Sequence, residues 1–68
     1  MLKTSLPFAN LIEMEAHARE TGSAHAQFGD LFLTVFPMGP KFSYRLNGQE
    51  VADRTAQANL EYMLRRAA

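Results

Sequence analysis

The chain has 68 residues, and its seven Lys and Arg balance seven Asp and Glu, so the formal net charge is zero with both histidines neutral. Cysteine and Trp are absent, and 47% of the residues are apolar. These figures exclude a disulfide framework and a thiolate zinc site, argue against disorder, and give no electrostatic basis for binding bulk duplex nucleic acid.

A single domain over residues 1–68 is expected. A domain of ~60 residues buries only about 60% of the surface that its unfolded chain exposes, so small scaffolds usually need a staple. Without a disulfide, self-association or docking onto a larger protein takes that role. The start of the chain, Met1-Leu2-Lys3-Thr4-Ser5, is not a secretory apolar run. The longest apolar stretch, Leu31 to Phe36 with Thr34 inside it, is far shorter than the ~20 residues that span a bilayer. No membrane contact and a cytoplasmic location are therefore expected.

The first element reads as a helix. Ser5 suits an N-cap, Pro7 suits the first turn, and Phe8, Leu11, Ile12 and Ala16 recur at spacings of three and four. Thr21-Gly22 should end it, since Gly tolerates the left-handed cap conformation. Strands follow. Ala24, Ala26 and Phe28 alternate with His25 and Gln27, and Gly29-Asp30 suits a type II′ turn. Leu31, Leu33 and Val35 alternate with Phe32, Thr34 and Phe36, and Pro37-Met38-Gly39-Pro40 should end that strand. A third strand covers Lys41 to Leu46, and Asn47-Gly48 is a strong type I′ signal that folds Gln49-Glu50-Val51 back as a short fourth. The last element is a helix with Asp53 as N-cap and a buried stripe of Ala56, Leu60, Met63, Leu64 and Ala67. Arg65 and Arg66 in its final turn suit the helix dipole. The expected fold is α+β: a three- to four-stranded antiparallel sheet with an N-terminal and a C-terminal helix packed on one face, in the order α-β-β-β-(β)-α.

Two-residue turns fix which side chains share a face. One face collects Ala24, Ala26, Phe28, Leu31, Leu33, Val35, Phe42, Tyr44, Leu46 and Val51, which the helices can cover. The other collects His25, Gln27, Phe32, Thr34, Phe36, Lys41, Ser43, Arg45 and Glu50, with Arg45 opposite Glu50 as an ion pair. Two helices of this length cover one side of a small sheet, so Phe32 and Phe36 should face outward together. The candidate partner-binding residues are therefore Phe32 and Phe36 as anchors, with His25, Lys41 and Arg45 at the rim. A protein partner, or a second copy bound through this open face, fits them.

The same face supports a reading from another class: aromatics beside Lys and Arg can stack single-stranded bases. Zero net charge and the lack of an RNP-like pattern weigh against it. Chemistry has little to stand on. His17 lies four and three residues from Glu13 and Glu20, a spacing that surface helix pairing explains. Glu13 and Glu15 are two apart and do not face one another, Asp30 and Asp53 suit a turn and a cap, and no nucleophile motif or phosphate loop occurs. No catalytic residue, metal ligand or cofactor is expected, and the chain reads as a non-enzyme.

No stretch carries the signature of a named family. The Phe42-to-Val51 hairpin, Phe-Ser-Tyr-Arg-Leu-Asn-Gly-Gln-Glu-Val, runs straight into a short terminal helix in a small chain without cysteine. In this the chain resembles small accessory proteins of bacterial phages and plasmids. That resemblance implies a protein, such as an anti-CRISPR inhibitor, that binds and blocks a larger host defence complex. Many such inhibitors are acidic and imitate nucleic acid. The neutral charge here implies surface occlusion or dimer bridging instead.

Overall fold

A computed structural model describes residues 8–67, which form α1 (Leu11–Thr21), β1 (Ala24–Phe28), β2 (Leu31–Met38), β3 (Lys41–Leu46), β4 (Gln49–Val51) and α2 (Asp53–Ala67). The fold is α+β, two helices on one face of a four-stranded antiparallel sheet. The N-cap and first-turn roles expected of Ser5 and Pro7 fall outside the described residues.

Helix α1 is capped at Asn10, whose side chain accepts the Glu13 N–H at 2.9 Å. Glu13 reaches back to accept the Ala9 N–H, also at 2.9 Å. The arrangement is close to a capping box and satisfies donors that the first turn leaves free. At the other end Gly22 takes φ 101°, and its N–H donates to the Ala18 carbonyl at 2.7 Å. The buried stripe is Leu11, Met14 and Ala18. Ile12 is 74% exposed and Ala16 is exposed, contrary to the periodicity read from sequence. The connection through Gly22-Ser23 into β1 sets the rotation of the helix. It points Glu15 and Arg19 toward β3 and leaves Ile12 in solvent.

The sheet order is β1-β2-β3-β4, each strand beside its neighbour in sequence. Two-residue turns make all three connections. Gly29 has φ 59° while Asp30 stays at negative φ, the sign pattern of a type II′ turn, and Phe28 pairs with Leu31 across it. At Asn47-Gly48 both residues have positive φ, the type I′ pattern, and Leu46 pairs with Gln49. The middle connection is tighter than the sequence suggests. Strand β2 runs through Pro37 to Met38, which pairs with Lys41 across Gly39-Pro40. Pro37 is tolerated because the ladder alternates. Leu31, Leu33 and Val35 bond toward β1, so the position of Pro37 also points that way, and β1 pairing has already ended at Ala24↔Val35.

Met14, Leu33, Val35, Leu60 and Met63 are the largest fully buried side chains. Each such side chain stabilises the fold by about 1.5–3 kcal/mol relative to exposure. Ala18, Ala24, Ala26 and Ala56 are buried as well, and their small volume lets helices and sheet approach closely. The stripe of α2 runs through Ala56, Leu60, Met63 and half-buried Leu64. Asp53 is the first residue of α2, not its cap, because Ala52 supplies the carbonyl that accepts the Ala56 N–H at 3.0 Å. Its carboxylate still suits the positive helix end. Among the described residues, no helix is long and apolar enough to cross a membrane.

Candidate binding face

The helices cover the face that carries Leu33 and Val35, and among the described residues the opposite face is left bare. Alternation along β2 puts Phe32, Thr34 and Phe36 in one row on the bare side. Phe32 is 40% exposed and Phe36 half-buried. His25 and Gln27 flank the row from β1, and Lys41, Ser43 and Arg45 flank it from β3. All five expected partner-binding residues, His25, Phe32, Phe36, Lys41 and Arg45, thus share one surface.

Each ring has a diagonal neighbour. His25 opposes Thr34 in register, yet its imidazole stacks on Phe32 with centroids 5.5 Å apart and planes 5° from parallel. Diagonal pairs on a sheet lie within reach of aromatic side chains. The imidazole is held at both nitrogens, with Nδ1 3.3 Å from Thr34 Oγ1 and Nε2 3.3 Å from Ser23 Oγ. On the far side Arg45 opposes Glu50 in register, but no ion pair forms between them. The Arg45 guanidinium lies over Phe36 instead, 5.6 Å from its centroid. The expected Arg45–Glu50 pair gives way to a cation–π contact with Phe36, which is diagonal to Arg45 across β2–β3.

The backbone under Phe32 is anchored from the turn beyond β3. The Phe32 N–H donates to Asn47 Oδ1 at 2.8 Å, and the Asn47 N–H donates to the Phe32 carbonyl at 2.8 Å. Asn47 therefore does two things: it takes the left-handed conformation at φ 53° and extends the β2–β3 ladder by its side chain. Sequence reasoning gave it only the first.

The helical side holds polar contacts that sequence alone did not suggest. Tyr44 is buried, and its hydroxyl donates to Glu15 Oε2 of α1. Burial, and then the hydrogen bond to the Glu15 carboxylate, push the Tyr44 phenol well above its ordinary range. Arg19 lies over Phe42 at 4.6 Å and donates to the Gly39 carbonyl at 3.3 Å, closing the end of the core. His17 packs its ring against Phe8, with centroids 5.3 Å apart, in place of the expected carboxylate pairing. A shallow apolar dent lies between Phe28 and Leu31 of the first hairpin and Asn59 and Tyr62 of α2.

Among the described residues no three His, Asp or Glu side chains converge on a point where a metal ion could sit. Comparison with protein-family models, with curated proteins and with solved structures finds no match to this chain.

Proposed function

We propose that the chain is a non-enzymatic binding module that docks a protein surface through the bare side of its sheet. The observation that supports this most directly is the row of Phe32 and Phe36, partly open to solvent on a face that neither helix covers. An apolar pair ringed by polar groups is the usual form of a binding anchor. Charge narrows the partner. Lys41 and Arg45 outnumber Glu50 on this face, so its best complement carries net negative charge, which a second copy of the same face does not. The complement is a different protein, with an apolar pocket bordered by carboxylates. Such rim charges govern encounter rate more than affinity. The most specific form of this reading is a mobile-element inhibitor that occludes a host defence complex. It rests on the size and hairpin resemblance described above.

The test compares capture from bacterial lysate by the wild-type chain and by a Phe32→Ser/Phe36→Ser variant whose circular dichroism is unchanged. A stoichiometric protein retained by the former and lost by the latter supports the reading. The loss expected for an anchoring ring is about 30-fold or more in affinity. Equal capture by both removes this face from the interaction. Single-stranded oligonucleotide binding that weakens steeply with salt would favour the nucleic-acid alternative. The ring contacts weigh against that outcome, since His25 stacks on Phe32 and Arg45 lies over Phe36.

A further inference from the structure

A sheet edge exposes unpaired N–H and C=O groups, and proteins usually blunt it with charge, proline or brevity. This sheet does so nearly everywhere. Where β2 runs past β1, the outward position is Pro37, which has no N–H. Where β3 runs past β4, the one outward position is Phe42, flanked by the charge of Lys41 at the strand's start. Strand β4 has three residues with Glu50 at its centre, so pairing two copies there would set one carboxylate against another. Strand β1 alone has no such device. Its five residues, Ala-His-Ala-Gln-Phe, include no carboxylate, no Lys or Arg and no proline.

The register shows which β1 groups are free. Phe28, Ala26 and Ala24 exchange hydrogen bonds with Leu31, Leu33 and Val35. His25 and Gln27 therefore direct their main-chain groups away from β2, and among the described residues no other strand lies beside them. Both side chains are exposed.

We propose that β1 is a self-pairing edge, on which β1 of a second copy lies antiparallel about a two-fold axis at Ala26. In that register His25 faces Gln27 of the second copy, and Gln27 faces its His25. Each of the two pairs exchanges two main-chain hydrogen bonds, so the free groups of both residues are satisfied in both copies. An antiparallel pair of identical strands is isologous, so the contact closes as a dimer rather than growing into a filament. The product is one eight-stranded sheet. Its bare side joins two His25–Phe32 stacks into a continuous surface. A ladder of five residues is a small contact, so the dimer should depend on concentration.

The test measures mass by sedimentation, and amide exchange by NMR, on the full chain from about 20 μM to about 1 mM. Mass should rise from 7.6 kDa toward twice that value. The His25 and Gln27 amides should become protected in step, while Ala26 is protected throughout. Gln27→Pro removes an outward donor without touching the β2 ladder, and should keep the chain monomeric. Gln27→Lys, a milder edge blocker, serves if the proline variant does not fold. A chain that stays monomeric with both amides exchanging freely overturns the proposal. So does a monomer with both amides protected at every concentration. A dimer that survives both Gln27 variants but dissociates with Phe32→Ser would place self-association on the bare face instead.

Discussion

Replacing Tyr44 by Phe should alter both the size of the stability and its dependence on pH. At neutral pH the variant loses a hydrogen bond to a carboxylate, a class that contributes about 1.5–3 kcal/mol. Glu15 is half-buried and water can replace part of that bond, so the lower end, about 1.5 kcal/mol, is expected. In a domain of this size that lowers Tm by about 6–12 °C. The alkaline side gives the sharper test. In the unfolded chain the phenol ionises near pH ~10. In the folded chain burial and Glu15 hold the proton well above that. The folded state therefore binds the proton more tightly. This contribution is fully present below pH ~10 and is lost as pH rises toward the folded value. At a slope of at most about 1.36 kcal/mol per pH unit, wild type should lose up to about 1.4 kcal/mol from this group by pH ~11, and less to the extent that water screens the pair. Tyr44→Phe should lack that decline. Urea titrations followed by circular dichroism at about pH 7, 9, 10 and 11 would measure both. Wild-type and variant stabilities that run parallel through that range would refute the reasoning, because the hydroxyl would then not be held against Glu15.

Two further substitutions test the account of the bare face and of α1. Asn47→Ala should destabilise by about 1–3 kcal/mol in urea, since alanine is strained at φ 53° and leaves the Phe32 N–H without its acceptor. Ile12→Lys should change stability by less than about 0.5 kcal/mol in the same assay, because Ile12 is 74% exposed. A loss of several kcal/mol there would mean that Ile12 belongs to the buried stripe after all.

Sheet pairing was legible in the sequence because two-residue turns admit one register each. Gly29-Asp30 puts His25 and Phe32 on one face and Asn47-Gly48 does the same for Arg45 and Glu50, while the β2–β3 register that sets Arg45 opposite Thr34 joins the two pairs. What the residues touch on that face was not legible. Arg45 has Glu50 opposite and Phe36 diagonal, and pattern does not choose between them. The rotation of α1 was misread for a similar reason. Leu11 and Ile12 are adjacent and both apolar, and either can anchor a three-four repeat. The choice depends on the path through Gly22 into β1, and on Glu15 and Arg19 finding Tyr44 and Phe42. Those partners lie on elements far apart in sequence. The turn at Gly39-Pro40 was hidden by Pro37, whose tolerance depends on where β1 stops.

The meander has a kinetic consequence. Every strand lies beside the one made just before it, so little loop-closure entropy opposes each step of sheet assembly. During synthesis each hairpin can close as soon as its second strand leaves the ribosome. Helix α2 packs against α1 and against β1, β2 and β3, so among the described elements its docking closes the longest loops.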